Sequence, residues 1–234
     1  MAEKNGWKII ASGDLVPPEI TLLILCVLIV QYYRKLKSEM TGMTDMELSV
    51  LVVKQVMGAV GGLYCADLLS GITHMIFDHF IDASKTSFLS DIAKTFQEHH
   101  DNPKLVLDST VHELYSQVAV FVPIPIIASA YHAMHDSPSE LILANIAFVV
   151  GGSSNLFIHR ETHNYNHNKG DGTVRTRVYG ILSDMGLVMS SEYHKAHHVA
   201  EKHDINFPTI NGWSSPLMNF VVRTTGILDH VNKN

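Results

Sequence analysis

Residues 141–163 read LILANIAFVVGGSSNLFIHRETH, and this stretch decides the fold. An apolar run from Leu141 to Ile158 is followed at once by His159 and His163. The run has about the length that a helix needs to cross a hydrocarbon core of about 30 Å. Because the two histidines are four residues apart, a helix that continues past the run presents both imidazoles on one face. The stretch therefore predicts a membrane-spanning helix whose end carries a pair of candidate metal ligands.

Three further apolar runs extend this interpretation to a bundle; they cover residues 15–33, 48–76 and 114–134. Gly58 and Gly62 have a spacing that lets another helix approach closely, although an incidental glycine pair explains it equally well. Pro123 and Pro125 would kink or break the third helix unless neighbouring groups satisfy the freed carbonyls. We expect an all-α integral membrane bundle of about four transmembrane helices.

The topology follows if all four runs cross the membrane. Both termini then lie on one side with residues 77–113 and 159–234, and so does every histidine except His132 and His135. The turn between the last two runs, HDSPSE, lacks Lys and Arg, which places it opposite the cytosol. Arg34, Lys35 and Lys37, which follow the first run, oppose this orientation, because it would place them on the side opposite the cytosol. We expect a histidine-rich cap on the cytosolic side.

Composition excludes several classes of function. The net charge of −6 and the sequence pI near 6.2 leave no basic stripe, so nucleic acid is not an expected partner. The only cysteines, Cys26 and Cys65, lie inside apolar runs, which excludes a disulfide framework and a cysteine-based zinc site. Histidine, by contrast, occurs fifteen times.

The histidines fall into groups with helical spacing. HKAHH places His194, His197 and His198 at positions i, i+3 and i+4. The adjacent His99 and His100 diverge by about 100° on a helix and could serve two different metals. The remaining candidates are His74, which has Asp67 and Asp78 at helical offsets of seven and four, and His203, which follows HKAHH. We expect His132, His135 and His230 to be solvated, whereas His112 and His167 are undecided between solvation and function.

This supply of imidazoles favours two metal ions over one. Imidazole suits Zn, Cu, Fe and Ni, but a zinc site uses three or four ligands, and here more converge. Neither the Glu-x-x-His pair of soluble di-iron bundles nor the H-E-x-x-H of metalloproteases occurs in the chain. A histidine-rich site at a membrane surface therefore favours oxygen chemistry on a lipid over hydrolysis.

From Cys65 to Leu217 the chain resembles the Kua-type lipid desaturases, a family that includes plasmanylethanolamine desaturase and the plastid desaturase of phosphatidylglycerol palmitate. The resemblance is carried by CADLLSGITH, EHHDNP, the pair His159 and His163, HKAHHV and NGW. It departs from the animal members at Gly186 and Tyr193, where they have histidine, and at His112, which is shifted. The first sixty residues show no such resemblance; we divide the chain into an N-terminal region, 1–47, with the first transmembrane helix and a lipid desaturase domain, 48–234.

The resemblance further implies two Fe ions, O₂ as co-substrate and an external electron donor such as cytochrome b5 or ferredoxin, since the chain has no haem, flavin or iron–sulfur motif. Candidate carboxylates that would orient imidazoles are Asp67, Asp78, Glu98, Glu161 and Asp184. The ligands that the resemblance implies are His74, His99, His100, His159, His163, His194, His197 and His198, with His203 as an addition.

Three classes of function remain open. The first is a desaturase that acts on a membrane phospholipid, converting a plasmanyl (alkyl ether) lipid to a plasmenyl (vinyl ether) lipid or introducing an acyl double bond; the ether substrate is preferred. The second is a membrane lipid hydroxylase, and the third is a non-enzymatic metal carrier, which should line its path with ligands. The expected location is the endoplasmic reticulum membrane in a eukaryote or the inner membrane in a bacterium.

Overall fold

A computed structural model describes residues 18–107, 122–168, 172–200 and 203–229. Every regular element within these ranges is a helix, which confirms the predicted all-α class. A short 3₁₀ helix covers Pro103–Val106. The α-helices are α1 Pro18–Met40, α2 Asp45–His79, α3 Phe88–Asp101, α4 Pro123–Met134, α5 Ser139–Asn168, α6 Val174–Asp184, α7 Ser191–Val199 and α8 Ser215–Thr225.

Two helices in the described ranges, α2 and α5, are long and apolar enough to cross a membrane. With 35 and 30 residues, they are about 50 Å and 45 Å long, so each exceeds a hydrocarbon core of about 30 Å. The same test leaves the other two predicted spans undecided or unsupported in the described ranges. Helix α1 ends in a stretch with three cations, and the third run lies partly within 108–121, outside the described residues. The count of four spans therefore stays a prediction.

The chain divides into two units, and the first, here called the bundle unit, comprises residues 15–66 and 118–153. Its core contains residues of α1, the start of α4 and α5: Ile24, Leu28, Val122, Ile142 and Val149. Polar contacts join the same helices, because Gln31 donates to the Ser129 carbonyl at 3.3 Å and Lys35 pairs with Asp136 at 2.6 Å. Helix α4 begins at Pro123, where the missing N–H leaves no helical hydrogen bond unmade.

Helices α2 and α5 approach each other through the glycines of α2. A Cβ atom added to Gly58 would clash with the backbone oxygen of Glu140, and one added to Gly62 would clash with that of Ala144. The hypothesis that this pair permits a close helix approach is thus confirmed, since no side chain fits between the two backbones.

The second unit, here called the cap unit, comprises residues 67–117 and 154–234. Residues 1–14 are also assigned to it but lie outside the described residues. Its short helices begin at residues that favour helix starts: the side chains of Ser87, Thr173 and Ser190 accept a backbone N–H from the first turns of α3, α6 and α7. A second cluster packs α8 against the end of α2 through Phe207, Met218 and Val222. The packing of α8 lies at the end of α2 that carries His74.

The close approach of α2 and α5 predicts a sharp difference between neighbouring glycines. Gly62→Ala should lower the free energy of unfolding by about 1–3 kcal/mol, because the new methyl group forces the backbones apart. Thermal unfolding of the purified protein in one detergent measures this. Gly61→Ala is the matched control, since its Cβ would meet no atom within 4 Å. Equal stability of the two variants would contradict the close packing.

Candidate metal centre

Five imidazoles of the cap unit converge in one group, here called the five-histidine group. Their candidate ligand atoms all lie within 4.8 Å of one another. The Nε2 atom of His194 lies 2.8 Å from that of His159 and 3.0 Å from that of His163. The members are His99 on α3, His159 and His163 on α5, and His194 and His198 on α7.

The spacing of these nitrogens fits a metal ion better than a hydrogen-bond network. A neutral imidazole has one N–H, so mutual hydrogen bonds cannot satisfy several Nε2 atoms that all face one point. Two ligands at right angles on an ion with bonds of about 2.1 Å lie about 3.0 Å apart, which matches the 2.8 to 3.0 Å between the nitrogens. The residues present therefore fit a metal.

A second group, here called the aspartate group, contains His74 and Asp78 of α2, His100 of α3 and His197 of α7. The Asp78 carboxylate lies among three Nε2 atoms, at 3.4 Å from His74, 3.3 Å from His100 and 3.5 Å from His197. Within the described part of the chain, these nitrogens and both carboxylate oxygens are buried without a hydrogen-bond partner. Buried polar atoms without partners are costly, and a bound cation would satisfy all of them.

Backbone carbonyls determine which ring nitrogen carries the proton in three imidazoles, and therefore which one keeps a lone pair for a metal. His74 donates its Nδ1–H to the Phe207 carbonyl at 3.0 Å, and His197 donates to that of Ile205 at 2.6 Å. His99 donates in the same way to the Phe96 carbonyl. Because a carbonyl only accepts, Nδ1 carries the proton in each ring, and the Nε2 lone pair faces the site.

Four imidazoles of α3 and α7 are neutral near pH 7. The pKa of each of these four is below the usual value for histidine, and burial is the largest cause. Neighbouring imidazoles lower the pKa further, since two positive charges at this distance repel. These groups are therefore available as metal ligands rather than as cations: His99, His100, His194 and His198.

The structure divides the sequence motifs between the two groups. The adjacent His99 and His100 enter different groups, with ring centroids 4.5 Å apart, as their divergence on a helix predicted. HKAHH likewise contributes His194 and His198 to one group and His197 to the other. Eight of the nine histidines predicted as ligands therefore lie in the two groups, and their role as ligands stays a prediction.

His203 lies beside the groups rather than in them. Its ring is 4.3 Å from that of His100, and its Nδ1 bonds to the carbonyl of His197 at 3.1 Å. His79 is a neighbour that the sequence did not reveal, because it is five residues from His74 and so lies off its helical face. The Nε2 atom of His79 bonds to the His203 carbonyl at 3.2 Å.

The predicted carboxylate partners mostly act elsewhere. Asp67 accepts the backbone N–H groups of Ile210, Asn211, Gly212 and Ser214 instead of contacting an imidazole, because an offset of seven residues puts it about 10 Å from His74 along the helix. Glu98 pairs with Lys94 at the surface, Glu161 pairs with Arg175 at 2.9 Å, and Asp184 is exposed. Asp78 is the exception, since it lies among the imidazoles themselves.

The remaining histidines do not join either group in the described ranges. His132 and His135 lie at the end of α4 in the bundle unit; His135 is exposed, as predicted, whereas His132 is half-buried. His167 is exposed and lines a cavity of about 310 Å³ with Lys104 and Lys195, which also reaches His163 and His198. His112 and His230 lie outside the described residues.

If each group holds one iron ion, as the sequence predicts, removing one imidazole from either group should lower the bound iron from about two ions to about one per chain, because that position then loses a ligand. His194→Ala tests the five-histidine group and His197→Ala tests the aspartate group, with iron measured by elemental analysis of the purified protein. His135→Ala is the control and should keep both ions. Unchanged iron in both ligand variants would contradict the two-site arrangement.

Comparison with known proteins identifies the family of the chain. The lipid desaturase domain model matches residues 63–227. Plasmanylethanolamine desaturase 1 of Mus musculus is 26% identical over 164 residues, which cover 68% of this chain and 58% of that protein. The chain thus covers less than two thirds of the length of that relative. No solved structure matches the present chain. Because the family model covers more than half of the chain, including both histidine groups, the protein belongs to the Kua-type lipid desaturase family.

Proposed function

We propose that this chain is an O₂-dependent membrane lipid desaturase that converts plasmanyl phospholipid to plasmenyl phospholipid at a centre of two iron ions. The single observation that carries the proposal is the pair of adjacent ligand groups in the cap unit. Together they offer eight imidazoles and one carboxylate, all buried or nearly so. Such a set is larger than one metal can use.

The number of donors supports a reactive centre rather than a storage site. Five donors in one group and four in the other leave open positions on ions that take six ligands. Open positions are what distinguish a catalytic metal site from a closed structural one. Iron bound there would supply the reductive activation of O₂ and the removal of hydrogen from the lipid.

The proposed reaction balances with one O₂ and two external electrons. Two C–H bonds on the adjacent carbons of the alkyl ether chain break, and a carbon–carbon double bond forms. The two hydrogens of the lipid, two protons and two electrons from the donor reduce O₂ to two molecules of water. We propose cytochrome b5 or ferredoxin as the donor, because the chain has no redox motif of its own.

The side chains of the protein would position this chemistry and exclude competing reactions. Burial keeps bulk water away from His99 and His194, and their neutral form keeps their lone pairs available. The carbonyls of Ile205 and Phe207 hold two rings in the productive tautomer. Asp78 brings a negative charge into the aspartate group, which would partly balance a bound cation.

The substrate class is proposed from the relative. The mouse protein is named for desaturation of a plasmanyl lipid, and the lipid desaturase domain model covers the motifs that carry the histidines. An alkyl ether phospholipid is therefore the substrate proposed for this chain. A double bond in an acyl chain, or hydroxylation in place of desaturation, would be the alternative outcomes of the test below.

We also propose the topology that the sequence predicts. Four spans would place the cap unit on the cytosolic side, in the endoplasmic reticulum membrane or a bacterial inner membrane. The first transmembrane helix would lie in an N-terminal region, 1–47, and the desaturase domain would cover 48–234. Two candidate spans, α2 and α5, support a membrane location.

Expression in a host that lacks plasmalogens, supplied with alkylglycerol, should produce acid-sensitive vinyl ether lipids. His163→Ala and His197→Ala should each lower that product more than about 100-fold, because altering even the partner of a ligand typically costs 10- to 100-fold. His135→Ala should retain the activity. Lipid mass spectrometry identifies the product by the loss of two hydrogens.

A correctly inserted, iron-loaded protein that forms no vinyl ether would refute the ether substrate. In that case, loss of two hydrogens from an acyl chain would indicate an acyl desaturase. Gain of one oxygen would indicate a hydroxylase instead. Product formation that survives both histidine substitutions would refute the proposed centre.

The topology predicts opposite labelling of two exposed positions. Lys85, with its side chain 74% exposed, follows α2, and Asp136, 90% exposed, lies between α4 and α5. In a background with Cys26 and Cys65 replaced by serine, Lys85→Cys should react with an impermeant thiol reagent only from the cytosolic side. Asp136→Cys should react only from the opposite side. Labelling of both from one side would refute the four-span arrangement.

A further inference from the structure

The segment between α7 and α8, residues 203–214, contacts the aspartate group through its backbone; we call it the strap. Three of its carbonyl groups, each two residues from the next, accept a hydrogen bond from a histidine ring. His203 accepts from His79 at 3.2 Å, Ile205 from His197 at 2.6 Å, and Phe207 from His74 at 3.0 Å. The strap therefore sets the orientation of several rings at once.

These contacts are selective for one of the two groups. His74 and His197 both belong to the aspartate group, and the ring of His203 lies 4.3 Å from that of His100, its third imidazole. In the five-histidine group, His99 donates instead to Phe96 of its own helix. No hydrogen bond joins a ring of that group to the strap among the residues that the structure describes.

A single buried carboxylate anchors the strap. Asp67 is fully buried, and its Oδ1 accepts the backbone N–H groups of Ile210, Asn211 and Gly212 at 3.3, 2.9 and 3.0 Å. Its Oδ2 accepts the N–H and the hydroxyl of Ser214 at 2.9 and 2.6 Å. Five donors on one carboxylate offset the cost of burying its charge, and hydrogen bonds to an ionised acceptor are stronger than neutral ones.

Further hydrogen bonds hold the strap between this anchor and the accepting carbonyls, and one of them runs from the Asn206 amide to the Tyr193 carbonyl of α7 at 3.2 Å. The hydroxyl of Ser70, one turn after Asp67, accepts the N–H of Thr209 at 3.2 Å. Asn206 adopts a left-handed backbone with φ of 58° and exchanges hydrogen bonds with Asn219 of α8, each at 2.9 Å. The strap thus has little freedom to move its carbonyls relative to α2.

We propose that Asp67 is a positioning residue for the metal position of the aspartate group alone. By holding the strap, it keeps the carbonyls of Ile205 and Phe207 on the Nδ1–H groups of His197 and His74. Both Nε2 lone pairs then face Asp78 and His100. This inference rests on the proposed function for the presence of two metal positions, and it adds that the two positions are supported independently.

Anaerobic titration with Fe²⁺ of the full chain in detergent tests the proposal. Asp67→Asn replaces one accepting oxygen by an NH₂ group, which cannot accept from the N–H groups of the strap. Part of the strap therefore loses its hydrogen bonds to α2. We expect one of two Fe²⁺ ions to bind about 10-fold more weakly, as for other partners of ligating histidines, while the second keeps its affinity. Mössbauer spectra with isotopically enriched iron should lose one of two signals. Asp82→Asn, an exposed aspartate of the loop after α2, is the control and should bind both ions as the parent does.

A milder variant keeps the test decisive if Asp67→Asn does not fold. Ser70→Ala removes only the hydroxyl that accepts from Thr209, and it should weaken the same position by a smaller factor. Circular dichroism and size-exclusion chromatography show whether each variant retains the fold of the parent. Equal weakening of both ions in a folded variant, or no weakening of either, would overturn the inference.

The parent protein separates this inference from the proposed function. If the parent binds two ions but forms no vinyl ether, the proposed reaction is wrong while the role of Asp67 is still judged by the titration. If the parent binds fewer than two ions, the two-position arrangement and this inference are both refuted. If it binds two and Asp67→Asn leaves both intact, only this inference is refuted.

Discussion

The cap unit depends on one physical constraint: imidazoles removed from water with their lone pairs aimed at common points. Burial without a partner costs free energy for each nitrogen, and nine candidate donors sharing two small volumes would not be stable without compensation. Backbone carbonyls offset part of this cost, because they accept the Nδ1–H of three rings and so leave the Nε2 lone pairs facing the site. A bound cation would remove the remaining penalty, so metal binding and correct packing of the cap would favour each other.

Much of this arrangement follows from helix geometry alone, and that part could be predicted. His159 and His163 share a face because they are four residues apart, and His99 and His100 separate because they are adjacent. Long apolar runs likewise identified α2 and α5 as candidate spans, since length and hydropathy are properties of one segment. Each of these conclusions needed only local information.

What could not be predicted depends on partners far apart in the chain. Asp67 shares a helical face with His74, which suggested a direct contact, but its donors belong to a segment more than 140 residues later. His79 meets His203 only because of the same long-range fold. Gly58 and Gly62 gave an ambiguous signal, since a small-residue spacing has meaning only once a second helix lies against it. In each case tertiary contacts, not propensity, decided the outcome.

The adjacent pair on α3 has a mechanical consequence. His99 and His100 point into different groups from neighbouring positions of one helix, so α3 has a single rotational setting at which both groups are complete. Turning the helix about its axis in either direction would withdraw one ring or both. A metal ion in each group would therefore restrict the rotation of α3 about its axis. The loss of either ion would remove that restriction.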